Sequence, residues 1–166
     1  MTQTKAQTQN KTGRRVALRF ESIDDVLRDI EAIVAADRDG RLQTHGNWSA
    51  GQNLAHLAAW IEYGYVGYPI AAPPWPIRFV LKCMLGRTLK KGMSSGVRIP
   101  GVKQGTVGQD EMPLADAAER LRVALTRLNS QEPCKFHSPA FGAMSHADRI
   151  RLNLRHAELH LANLSY

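Results

Sequence analysis

Imidazole changes protonation state near neutral pH and binds divalent metals when neutral, so histidine is the natural place to look for chemistry in this chain. Six are present: His45, His56, His137, His146, His156 and His160. His156 and His160 form an H-x-x-x-H pair. In a helix, four residues turn the chain by about 400°, which stacks the two rings on one face roughly 6 Å apart. That spacing suits two nitrogens on one divalent cation.

Their place on the helical wheel adds to this. Ile150, Leu154, Ala157, Leu161 and Leu164 make one apolar stripe, Leu152 and Leu159 a second, and the two histidines lie between them beside Asn153 and Asn163. Asp148, Arg151, Arg155 and Glu158 fall on the opposite face, which is expected to meet solvent. The imidazoles therefore point inward, where a polar group left unpaired costs about 1–3 kcal/mol. A shared metal satisfies both rings at once; hydrogen bonds from Asn, Gln or backbone are the alternative. His56 is the third candidate ligand, on a strip with Ser49, Gln52, Asn53, Trp60 and Tyr63 inside an otherwise apolar segment. A three-histidine set leaves a coordination position open for substrate.

The other candidates are weaker. His45 precedes Gly46–Asn47 in an expected turn, and His146 begins the last helix; both are expected at the surface. His137, in the loop FHSPAFG, is expected to have no role, with a fourth ligand or an acid–base group as the alternative. Cys83 and Cys134 lack metal-ligand spacing and are expected to be buried, unreactive thiols. Arg149, seven residues before His156, shares nearly the same face. It is expected to be an exposed arginine, the alternative being a carboxylate binder at the mouth of a pocket. Trp75 and Phe79 are expected to pack onto the helices rather than face a membrane.

These residues need helices to position them. Ser22 is the expected N-cap of a first helix, IDDVLRDIEAIVAA, whose apolar residues recur at three/four spacing and which Gly40 closes. A second helix runs from Trp48–Ser49 to about Val66; Glu62 is its one charged residue, so it is expected to be buried on nearly all sides. Four prolines between Tyr68 and Pro76 end it. Ile77–Leu89 predicts a short extra helix, and Gly92–Met112 a long connection. Pro113 starts the helix PLADAAERLRVALTRLNS, and Ser145 caps a last helix reaching about Leu164. The expected class is all-α, with four main helices and the short one inside a long crossover. Residues 1–13 are expected to be a disordered tail and 14–166 a single domain.

Composition agrees with an ordinary folded domain: 166 residues, 43% hydrophobic and 22% charged, with two cysteines. No apolar run reaches the roughly 18 residues that cross a bilayer, and the polar N-terminus lacks a secretory signal, so a cytoplasmic location is expected. The net charge of +7 is localised. Between Glu62 and Asp110 there is no acid, but there are Arg78, Lys82, Arg87, Lys90, Lys91, Arg98 and Lys103. Such a segment is either a solvated basic loop or a surface for an anionic partner.

Taken together, the segments N47-W-S-A-G-Q-N-L-A-H-L57 and R155-H-A-E-L-H-L161, with PPWPIRF, LKKGM and FHSPAFG, resemble the DUF1569 family of the DinB/YfiT-like superfamily. The resemblance covers about Arg14 to Leu164. It implies a DinB-like four-helix bundle with a long crossover. It also implies a divalent metal, zinc or nickel, held by one histidine of the second helix and two of the last: His56, His156 and His160. Relatives include transferases and isomerases that use a low-molecular-weight thiol. Two functions follow as expectations. One is a metal-dependent enzyme acting on a small molecule, anionic or a thiol. The alternative is a non-catalytic metal-binding or interaction module whose basic segment 78–103 contacts an anionic partner. A membrane surface is the less favoured partner, nucleic-acid-binding motifs are absent, and a homodimer through the basic helix is a further option.

Overall fold

A computed structural model gives the fold of residues 13–130 and 132–166; the tail expected over 1–13 lies, Gly13 apart, outside the described residues. Five helices account for most of it: α1 (Ile23–Arg38), α2 (Ala50–Val66), α3 (Trp75–Lys91), α4 (Leu114–Asn129) and α5 (His146–Leu161). A two-stranded antiparallel sheet joins β1 (Gln43–Thr44) to β2 (Leu164–Ser165), with Gln43 opposite Ser165 and Thr44 opposite Leu164. Among the described residues the secondary structure is thus predominantly α-helical, with this one small sheet. Among the described residues no helix is long and apolar enough to cross a membrane.

The helix starts follow from local chemistry. Ser22 and Ser49 each accept from the backbone N–H three residues on, and Asp25 and Gln52 return the bond to the cap residue. Ser145 accepts from Asp148 N–H in the same way. The apolar faces meet in one core of Val26, Ile30 and Ile33 (α1), Leu54, Leu57 and Ile61 (α2), Leu121, Leu125 and Leu128 (α4), and Leu154 and Leu161 (α5). α2 packs most extensively on α4 and also lies on α5; α1 packs on α4 and α5. Arg120 of α4 forks onto Glu62 of α2 at 3.0 and 2.7 Å, closing the edge of that contact.

Three expectations are corrected. The last helix stops at Leu161 and not near Leu164. Arg15 takes its final carbonyls, with Nη2 donating to Leu161 O at 2.7 Å and the backbone N–H to Ala162 O at 2.9 Å, so the chain can turn and bury Leu164 in β2. Secondly, the helix in the crossover is not short: α3 has 17 residues, as many as α2. It packs on α5, no residue of it is buried, and Trp75 and Phe79 stand out in solvent instead of packing on the other helices. Thirdly, Arg155 and Glu158 face inward. The lead-in segment before α1 lies across α5, where Phe20 N–H donates to Glu158 Oε1 at 2.7 Å, Phe20 O accepts from Arg155, and Arg155 pairs with Glu158 at 3.1 Å. A helical wheel assigns that face to water because it takes no account of non-helical chain.

Candidate metal centre

α2 and α5 lie side by side, and His56, His156 and His160 meet between them. One nitrogen from each ring can be chosen so that all three lie within 4.8 Å of one another. Ring centroids are 5.0 Å apart for His56–His156, 4.6 Å for His56–His160 and 4.8 Å for His156–His160. Four-residue spacing on α5 supplies one pair; the packing of α2 on α5 supplies the third ring.

Two of the rings have their tautomer set by oxygen acceptors. His56 Nδ1 lies 2.9 Å from Val107 O, and a carbonyl only accepts, so Nδ1 carries the proton and Nε2 keeps its lone pair. His160 Nδ1 faces Asn53 Oδ1 at 3.4 Å. Asn53 is itself oriented, its Nδ2 donating to Ser49 O at 2.9 Å, so Oδ1 is the acceptor and His160 also presents Nε2. Such outer partners orient imidazoles for metal binding.

All three rings are neutral at ordinary pH. Burial pushes His56 down to about 4 against a slight lift from Val107 O. Burial, then the neighbouring His56, take His160 down to about 3. Burial and the other two rings hold His156 well below 6.5. Neutral imidazole is the form that binds a metal. Bonds of about 2.0–2.1 Å to tetrahedral zinc hold ligand nitrogens roughly 3.3 Å apart. Donors already within 4.8 Å reach that by small side-chain rotations, so the residues present fit such an ion.

Aromatic rings wall the cluster. Trp48 lies nearly parallel to His160, 5.3 Å between centroids, and Trp60, 5.9 Å from each, meets His156 edge-on and His56 at a tilt. The crossover covers it: Val107 O accepts from Trp60 Nε1 at 3.1 Å as well as from His56. Two glycines permit this close approach. A Cβ on Gly108 (φ +80°) would sit 2.7 Å from Ala59 Cβ, and one on Gly51 would sit 2.1 Å from Met112 O. A recess of about 340 Å³ runs along the same segment, lined by Val102, Lys103, Gln104, Val107 and Asp110.

The sequence match decides the family: its model covers residues 12–166. The chain belongs to the DUF1569 family. Its description is "Protein of unknown function", and comparison with curated proteins and with solved structures finds no match.

The other candidate residues of this DUF1569 chain fall elsewhere. Arg149, expected at the surface, is instead buried; Nη2 donates to Phe136 O at 3.1 Å and Nη1 to Tyr68 OH at 3.4 Å. Among the described residues no carboxylate lies within ion-pair distance of it. Tyr68 connects it to the histidines through Trp60, at 5.8 Å between rings. His137 is exposed and outside the cluster. His45 is half-buried and not a free surface group: its Nε2 shares a hydrogen bond with Ser165 Oγ at 2.7 Å, tying β1 to β2. His146 is half-buried too, correcting its expected exposure. Cys83 is exposed rather than buried, and Cys134 is half-buried. Sequence reasoning placed Asn53 on the strip with His56 but missed Val107, whose part is played by a backbone carbonyl that carries no side-chain signature.

Proposed function

We propose that His56, His156 and His160 hold one divalent ion, zinc or nickel, at the centre of a metal-dependent enzyme acting on a small anionic molecule. Three neutral imidazoles within 4.8 Å, two of them with Nδ1 already committed to an oxygen, support this reading best. When bound, the ion acts as a Lewis acid toward an oxygen or sulfur of the substrate. Asn53 and Val107 keep two rings in register, Trp48 and Trp60 exclude water, and Arg149 offers a guanidinium without a carboxylate partner to an acidic group of the substrate. A buried cation without a counterion is costly to a fold, which favours a ligand-binding role for it.

With the family resemblance, we read the chain as DinB-like: α1, α2, α4 and α5 as a four-helix bundle and α3 in the crossover, with thiol-dependent transfer or isomerisation as the reaction class. The mutual packing of those four helices supports the bundle.

The test is elemental analysis of tag-free protein after equilibration with zinc or nickel. About one ion per chain is expected, and His56→Ala, His156→Ala and His160→Ala should each lose most of it. A wild type that takes up no ion, or variants that keep it, overturns the proposal. A metal-loaded chain that turns over no thiol or anionic substrate leaves the second reading, a non-catalytic metal-binding module.

A further inference from the structure

α3 is unusual for a helix of a soluble chain. Each of residues 74–80 is exposed. The residues of α3 that are half-buried, Leu81, Leu85, Thr88 and Leu89, recur at three/four spacing and form the face turned to α5. The first two turns therefore stand off the body of the protein. They are also the most apolar exposed stretch: Trp75 is 78% exposed, Phe79 66%, Val80 57% and Ile77 51%. An exposed apolar cluster of this size marks an interaction surface.

The charge on the helix selects the partner. Arg78 and Lys82, one turn apart, flank the apolar residues, and Arg87, Lys90 and Lys91 fill the second half; α3 contains no acid. Pairing of this helix with the same helix of a second copy would bring cations against cations. A surface with an apolar interior and an anionic rim relieves both features at once. Trp and Phe sit well at the level of lipid headgroups, and Lys and Arg beside them reach the phosphates. We propose that the first half of α3 docks on an anionic phospholipid surface. Trp75, Phe79 and Val80 enter the headgroup–acyl boundary, and Arg78 and Lys82, on the flank of that face, contact lipid phosphates. The helix lies at the interface and does not cross it, as five basic residues are interspersed among the apolar ones along its 17 positions.

The full chain is tested by co-sedimentation with vesicles of phosphatidylcholine alone and of phosphatidylcholine with about 30% phosphatidylglycerol, in about 0.1 M salt. Partition onto the anionic vesicles is expected, with a blue shift of Trp fluorescence that Trp75→Ala removes. Trp75→Ala with Phe79→Ala should weaken partition at least about tenfold. Arg78→Gln and Lys82→Gln should each weaken it about fivefold. These side chains are exposed, so far-UV circular dichroism should be unchanged in every variant. No partition by the wild type, or equal partition by the Trp75/Phe79 variant, overturns the proposal. A wild-type dimer that the same double variant makes monomeric also overturns it, in favour of a second copy as the occupant. Metal content plays no part in this readout, so its outcome is independent of the histidine site.

Discussion

Stability should fall steeply between pH 7 and pH 5 in the metal-free protein, and the three clustered imidazoles set the size of the fall. Each has an ordinary value of 6.5 that applies in the unfolded chain, whereas the folded chain holds His56 at about 4, His160 at about 3 and His156 well below 6.5. At pH 5 the unfolded chain has bound nearly one proton at each, whereas the folded chain has bound almost none at His56 and His160 and fewer than the unfolded chain at His156. The unfolded state then binds more protons, so stability rises with pH. The contribution is complete above the unfolded value and is lost as pH drops below 6.5 toward the folded values. Integrating from pH 7 to pH 5 gives about 2 kcal/mol each for His56 and His160, or about 4 kcal/mol for the two, and His156 adds to this in the same sense. That is a large part of the whole stability of a domain, about 5–15 kcal/mol. Urea unfolding of chelator-treated protein, followed by circular dichroism at pH 7, 6 and 5, reads it directly. Glu158, whose carboxyl is raised by burial, works in the opposite sense, so the decisive comparison is with His156→Leu. That variant should lose less stability on acidification than the wild type. If His156→Leu falls as far as the wild type, the imidazoles are not buried neutral groups and the reasoning fails.

Asn53 is buried and accepts from His160, so Asn53→Leu should weaken zinc binding about 10–100-fold while leaving the three ligands in place; competition with a chelator measures it. Gly108→Val should lift the crossover from Ala59 and break the Val107–His56 bond, costing at least about 1 kcal/mol through the left-handed backbone alone. A protease cut within 92–112 that appears in the variant but not in the wild type would report it. Arg155→Met removes the partner of a buried carboxylate and should cost about 3 kcal/mol or more in urea unfolding. A loss below about 1 kcal/mol would mean that Glu158 is held by Phe20 and Arg19 alone.

Much of the helical layout was legible because its signals are local. Ser22 and Ser145 cap where expected, α2 starts beside Trp48–Ser49 as expected, and three/four periodicity marks α1, α4 and α5. The His156–His160 pair was legible for the same reason, since four residues on one helix settle their relation. His56 could be named from its polar strip, but its meeting with the other two rings required α2 to lie on α5, a long-range fact. The errors share one cause. The wheel for α5 sent Arg155 and Glu158 to solvent because the segment around Phe20, more than a hundred residues away, covers that face. For α3, periodicity announced a helix, yet periodicity does not say whether a stripe finds a partner, and most of that stripe stands in water.

By itself, then, the sequence determined which segments coil, where they start, which side chains can bind a cation and where positive charge accumulates. These depend on residues within a turn or two of each other. Tertiary structure alone decided that Val107 O would set the tautomer of His56, that Arg149 would be buried with no acid beside it among the described residues, and that the first half of α3 would stand clear of the core. Each depends on which distant backbone comes to lie against a side chain, and that follows from how the apolar faces of all the helices fill space together.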